Sequence, residues 1–336
     1  LARQRQYPAQ PLVVSPDLTF DQLSAIEERL PLFPGVFIDM RPKRHYPAGP
    51  DIAHLVGYVA EISEAELALP EFRGYTLGQL IGKAGLERTY ERVVGGTPGV
   101  RYVEVDALGR IVGGFDPRIG QKPVPGRSLR LHLDLELQRW IARIFPDSVR
   151  GAMVALEPGT GHVLALYSNP GFDPNEFVGG VPAELWRALN ADPARPLLNR
   201  ATTGLYPPGS TFKLATAAIA LELGVIDPEG YMPIPCRGGM QYGNRYFRCW
   251  ERSGHGYVNL ADAIKVSCDV YFYQVGLKIG LERFLAEGTR LGFSRKTGID
   301  LPTERAGNFP DRPDWFRRSE ERRVGKECRS RWSPYH

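Results

Sequence analysis

The sequence predicts an α+β fold in two domains, and three observations carry that prediction. Short alternating apolar stretches and capped helices are interleaved through residues 1–125. Asp116 to Ser128 then holds three prolines and no periodicity, which reads as a linker. Beyond it, GAMVALE and HVLALYS flank Pro158-Gly159-Thr160-Gly161, a strong hairpin signal, and several apolar helices follow. That combination fits a sheet covered by helices.

At 336 residues, 43% hydrophobic and 24% charged, the chain is long enough for two cores. No apolar run approaches the roughly 18 residues that cross a bilayer. The chain starts at Leu1 rather than methionine, so it is expected to be a piece of a longer protein, and the absence of an anchor says nothing of where that protein resides. The formal charge of +4 is not a nucleic-acid signal. Arg317 to His336 hold seven of the 42 basic and three of the 38 acidic residues, which leaves 35 of each in the body.

Taken in order, PLVVSPDLTFDQLSAIEERL predicts a strand-like start and then a helix capped near Asp17 or Thr19, with Leu23, Ile26 and Leu30 at helical spacing. AHLVGYVAEISEAELALP predicts a strand and a helix opened by a Ser63/Glu66 capping box. A further helix ends at Gly95-Gly96, and two alternating strands come next. Gly82-Lys83-Ala84-Gly85 lacks the longer frame of a phosphate loop. Leu129 to Leu133 predicts a short strand, and Asp134 caps an amphipathic helix through Leu137, Trp140, Ile141 and Ile144.

Candidate chemistry concentrates at YPPGSTFKLATAAIALELG, Tyr206 to Gly224. Pro207, Pro208 and Gly209 stop any preceding element, Leu214 to Leu223 is apolar and helix-forming, and Gly224 is a C-cap. Ser210 and Lys213 therefore share one face of the first turn. The bland reading makes Ser210 an N-cap and Lys213 a solvated residue. Against it, a cation in the first turn opposes the helix dipole, and the apolar helix behind suggests a buried element opening into a cleft. The sharp reading is a nucleophilic serine with a lysine base, desolvated enough to give up its proton. Downstream, Ser267-Cys268-Asp269 lies between a helix starting near Asn259 and an apolar segment from Val270. Alone it reads as capping, and its weight comes from the pairing with Ser210 and Lys213.

On these residues the chain resembles the penicillin-binding protein and serine β-lactamase superfamily, whose signature is S-x-x-K, S-x-N or S-x-D, then K-T-G. GAMVALEPGTGHVLALYSNPGFDPN, LLNRATTGLYPPGSTFK, GHGYVNLADAIKVSCDVYFYQVG and TGIDLPTERAGNFP resemble the elongation-type class B members across most of residues 1–316. The resemblance implies a pedestal or dimerisation domain over 1–125, and the N-terminal part of a transpeptidase α/β domain over 126–316. It implies peptidoglycan D,D-transpeptidation through a Ser210 acyl-enzyme. Lys213 would act as base, Ser267 as proton relay, and Asp269 would bond the substrate or hold the loop. No catalytic cofactor is implied. Stem peptides ending in D-Ala-D-Ala, β-lactams, a membrane glycosyltransferase and rod-shape scaffold proteins are the implied partners, at the periplasmic face of a bacterial inner membrane. The alternatives are a serine β-lactamase or β-lactam sensor, and a non-catalytic interaction fragment.

Cys236, Cys249, His255 and Cys268 fall close together. Buried thiols, a Cys236–Cys249 disulfide and a structural zinc site of Cys3His composition all remain open. In Ser267-Cys268-Asp269 the middle side chain must point away from the cleft, so a metal on Cys268 would pin the motif from behind. Some members of the family look as though they hold zinc there. Lys296-Thr297-Gly298 invites assignment as the third motif, but its neighbours Gly292, Ser294, Asp300 and Pro302 have a loop composition. The resemblance implies that the true K-T-G strand lies beyond this chain, so the fragment is expected to be inert. Residues 317–336 read as an unrelated tail, artefactual or solvated, and Cys328 is left out of the ligand set.

Overall fold

The computed structural model describes residues 13–15, 18–38, 40, 43–100, 102–106, 111–114 and 119–310. The chain divides into two compact units, Leu1–Thr203 with Asp300–Thr303, and Gly204–Ile299 with the residues from Glu304 on. Residues 317–336, with Cys328, lie outside the described residues.

The first unit mixes short helices and hairpins, and most of its helix starts are set locally. Helix α1 (Phe20–Glu27) begins at Thr19, whose side chain accepts from Gln22 N–H while the Gln22 side chain answers the Thr19 N–H. The expected strand ahead of it is absent among the described residues, where Val13 and Val14 are exposed with no ladder partner. After α2 (Ala53–Val56), strand β1 (Val59–Glu61) pairs antiparallel with β2 (Leu80–Gly82), and between them α3 (Glu64–Leu67) has the Ser63/Glu66 capping box. The Glu66 carboxylate also takes Lys83, so the lysine of the rejected phosphate-loop look-alike is spent on an ion pair. Helices α4 (Gly85–Thr89) and α5 (Glu91–Val94) follow, then the hairpin of β3 (Val103–Val105) and β4 (Ile111–Gly114). Gly57 and Gly85 both have positive φ and touch through backbone: a Cβ on Gly57 would lie 1.9 Å from Ala84 O.

Of the proline-rich stretch, residues 119–128 are described, and they are tied down: Val124 pairs with Thr97 and Gln121 with Val100. Leu129 to Leu133 forms no strand, a correction to the sequence reading. Beside the neighbouring strand it is held by the His132 ring stacking on His162, with centroids 3.6 Å apart, and by the next residue, Asp134, whose N–H donates to Leu164 O at 2.9 Å. Asp134 caps α6 (Leu135–Ile144), accepting from Glu136 and Leu137 N–H. The hairpin of β5 (Gly151–Leu156) and β6 (Val163–Asn169) forms around the Pro-Gly-Thr-Gly turn, and α6 packs on β6. Gln138 is fully buried and treats β6 as a strand partner, giving and taking bonds with Leu166 at 2.9 Å. Helix α7 (Ala183–Ala191) ends the regular structure of this unit.

The second unit is built on α8 (Phe212–Glu222), the hairpin β7 (Gly239–Tyr242) and β8 (Arg245–Arg248), α9 (Leu260–Lys265), α10 (Asp269–Ile279) and α11 (Leu281–Arg290). Its core joins Ile219 and Ala220 of α8 to Val270, Tyr271, Val275 and Ile279 of α10, with Ala263 and Cys268 between. Each large aliphatic side chain so buried contributes about 1.5–3 kcal/mol, enough to fix α8 against α10. Gly224, at φ 63, ends α8 in a Schellman turn, Val225 N–H reaching Ala220 O. The mixture of helix and strand is the α+β class the sequence predicts.

Candidate active site

Ser210 lies in a single 3-10 turn (Gly209–Thr211) that runs straight into α8. Its side chain caps neither element and is exposed, so the bland capping role is absent. The turn begins at Gly209, whose φ of 54 lets the chain swing from the Pro207-Pro208 segment into the helix.

Lys213, one turn on, points into the second unit. Its ammonium donates to Ser267 O at 2.8 Å, Ser267 Oγ at 3.0 Å and Asp269 Oδ1 at 2.6 Å. These three acceptors match the three N–H donors of a protonated lysine. The Phe272 ring lies 5.7 Å away on the apolar side. The Lys213 side chain is only 14% exposed. Among the described residues Ser210 is not bonded to Lys213, whose donors are all committed to the S-x-D segment.

That segment is strained where it matters. Ser267 has φ 52, uncommon for a residue with a Cβ. It stands at the left-handed position of the turn that ends α9: Ser267 N–H reaches Ile264 O and Cys268 N–H reaches Ala263 O. Cys268, fully buried, faces away from Lys213 into the core, as the alternation of the motif predicts. The second oxygen of Asp269 accepts from Trp250 N–H at 3.1 Å, and Asp269 N–H points to Cys249 Sγ at 3.4 Å. Asp269 is therefore held from both sides.

Cys236, Cys249, His255 and Cys268 converge: one ligand atom from each lies within 4.8 Å of all the others. Cys236 Sγ and Cys249 Sγ are each 3.6 Å from His255 Nδ1, and the three cysteines are free thiols, so the disulfide alternative is not formed. Burial, with smaller contributions from Cys236 and Cys249, pushes the Cys268 thiol up to about 12. A buried group of three sulfurs and an imidazole is poor at carrying its own negative charge. It is the donor set of a closed tetrahedral site, in which a divalent cation makes thiolates favourable.

The rejected K-T-G stretch lies in a loop, and the Thr297 and Gly298 donors are taken. Glu304 accepts from Thr297 N–H and Oγ1–H at 2.6 Å and from Gly298 N–H at 3.3 Å. Trp250 escaped the sequence reading. Its one signal was position, directly after Cys249.

With this geometry in view, the comparisons with known proteins are informative. Residues 151–322 match the penicillin binding protein transpeptidase domain, and residues 2–131 match the penicillin-binding protein dimerisation domain. The chain belongs to the penicillin-binding proteins. Within them it is of the class B type represented by PBP2 and MrdA. It is 38% identical over 304 residues to the peptidoglycan D,D-transpeptidase MrdA of Acinetobacter baumannii, covering 90% of this chain and 44% of that protein. It is 37% identical over 317 residues to MrdA of Escherichia coli, covering 93% and 49%. A solved complex between PBP2 and MreC from Helicobacter pylori superposes with a TM-score of 0.77 at 30% identity, covering 95% of this chain and 62% of that one. Pseudomonas aeruginosa PBP2 in complex with WCK 5153 superposes at 0.67 with 36% identity, covering 84% and 58%. The chain spans about half the length of the curated relatives it matches.

Proposed function

We propose that the protein to which this chain belongs is a peptidoglycan D,D-transpeptidase that works through an acyl-enzyme on Ser210. The observation that carries the reading is Lys213, one turn from Ser210 and bonded to both Ser267 and Asp269. Ser210 Oγ attacks the carbonyl of the penultimate D-Ala of a stem peptide. A C–O bond forms, the C–N bond to the last D-Ala breaks, and the Ser210 proton must end on the departing amine.

Lys213 can accept that proton only after passing on one of its own. Ser267 Oγ, at 3.0 Å, is the neighbour through which a proton can reach the leaving group. Asp269 keeps the ammonium in register and is itself clamped by Trp250 N–H. The N-terminal end of α8 supplies positive potential for the developing oxyanion. An acceptor amine from a neighbouring strand then takes the acyl group, and water in its place gives carboxypeptidase activity. Cys236, Cys249, His255 and Cys268 would hold a zinc ion, whose place would be structural, stiffening the loop behind Ser267.

By similarity with the relatives, β-lactams would acylate Ser210. A rod-shape scaffold protein such as MreC and a membrane glycosyltransferase are proposed partners, at the periplasmic face of the inner membrane. The boundary between pedestal and catalytic domains is proposed at the Asp116–Ser128 stretch. The test is labelling of the full-length protein with a fluorescent penicillin, followed by peptide mapping. Stoichiometric label on Ser210, abolished in Ser210→Ala and slowed about a hundredfold or more in Lys213→Ala, is the expected result. Label that survives Ser210→Ala, or no label on the unmodified protein, would refute the assignment.

A further inference from the structure

We infer that Trp250 is a positioning residue for Ser267, and the inference rests on the catalytic reading given above. Ser267 occupies the left-handed site of the turn closing α9, where glycine is the usual residue because it has no Cβ to clash. A serine there is tolerated only when its surroundings over-determine the backbone, and such outliers point to function. To the bonds within the turn and from Lys213, Trp250 adds two that bracket it. Its indole Nε1–H donates to Val266 O at 3.0 Å, one of the carbonyls that the end of α9 leaves without a helical partner. Its backbone N–H donates to Asp269 Oδ2 at 3.1 Å. Trp250 thus bridges the residue before Ser267 and the residue two after it, bracketing the strained turn.

The consequence is specific. With the turn held, Ser267 Oγ and O both face Lys213 Nζ. Without the indole bond, the Val266 carbonyl can turn to water, and Ser267 can relax to an ordinary backbone conformation that carries Oγ away from the lysine. Trp250 is 57% exposed and its ring meets His255 at 5.4 Å, so packing alone does not account for a tryptophan here. The indole N–H is the property that only tryptophan supplies.

The experiment uses the full-length protein with two replacements at one position. Trp250→Phe keeps a ring and removes the donor. Benzothienylalanine at position 250 keeps the shape of tryptophan and also lacks the N–H. Acylation by a fluorescent penicillin is resolved into the affinity of the first complex and the rate constant of the covalent step. Both variants are expected to lower the covalent rate constant about fivefold, the worth of one hydrogen bond, with affinity, melting temperature and zinc content unchanged. An unchanged covalent rate in the benzothienylalanine protein would overturn the inference. So would a loss that falls on affinity alone, or one that only tracks loss of zinc. Absence of acylation in the unmodified protein would instead overturn the catalytic reading, and this inference with it.

Discussion

Gly288 of α11 lies beneath the ring of Phe309, and a single methyl group there tests how the mouth of α8 is supported. A Cβ at 288 would come within 2.4 Å of Phe309 Cζ and 2.7 Å of Cε1. Relief requires the ring to retreat by about 1 Å, the shortfall against ordinary carbon contact near 3.5 Å. Phe309 has little freedom to do so. Its ring packs against Phe293 at 5.3 Å, Phe212 at 6.1 Å and Phe284 at 6.3 Å. Its backbone is held on both sides by Ser294, whose hydroxyl donates to Phe309 O at 2.6 Å and accepts from Phe309 N–H at 3.0 Å. Overpacking of this kind costs about 1–3 kcal/mol, whereas glycine to alanine inside a helix gains about 1 kcal/mol. Gly288→Ala is therefore expected to destabilise the protein by about 1 kcal/mol when Phe309 is present, and to stabilise it by about 1 kcal/mol in a Phe309→Ala background. Urea unfolding of the four proteins of this cycle measures a coupling of about 2 kcal/mol with a change of sign. If Gly288→Ala were equally stabilising in both backgrounds, Phe309 would not be seated on α11. The aromatic support of Phe212, the residue before Lys213, would then be wrong.

Three other outcomes are expected. Burial pulls the His54 imidazole down to about 4 from its ordinary 6.5, beside Phe172 and against Pro170 O. Its stabilising contribution is complete above pH 6.5 and is lost as pH falls toward 4. Full loss is about 3 kcal/mol, so urea midpoints between pH 7 and 4.5 should fall less steeply in His54→Gln than in the unmodified protein. Metal analysis of the purified protein is expected to give one zinc per chain, with zinc lost in Cys268→Ser; an unmodified protein free of zinc, with Cys236, Cys249 and Cys268 all open to thiol reagents, would defeat the metal assignment. Gly254 has φ 84, and a Cβ on it would lie 2.2 Å from Cys236 O. Gly254→Ala should therefore displace His255 from Cys236 and weaken zinc retention at least tenfold in a competition with a chelator, while equal retention would mean that the loop can yield.

What the sequence determined by itself was whatever is decided within a few residues. The caps at Thr19, Ser63 and Asp134, the Pro158–Gly161 turn and the Gly224 helix end are each closed by bonds spanning five residues or fewer, so the residues that make them are neighbours in the text. The S-x-x-K and S-x-D pairs were legible for the same reason, since residue type and spacing express their chemistry directly. Strands need a partner, and there local pattern misled: Val13-Val14 and Leu129–Leu133 carry apolar residues but have no ladder among the described residues. Only the tertiary structure decided that Lys213 is gripped from Ser267 and Asp269, that three thiols and His255 meet within 4.8 Å, and that Glu304 occupies the look-alike K-T-G. It alone put Trp250 across the strained serine. Those contacts exist because burying α8 against α10 brings their ends together, and the free energy of that burial belongs to a packed core that no short stretch of sequence contains.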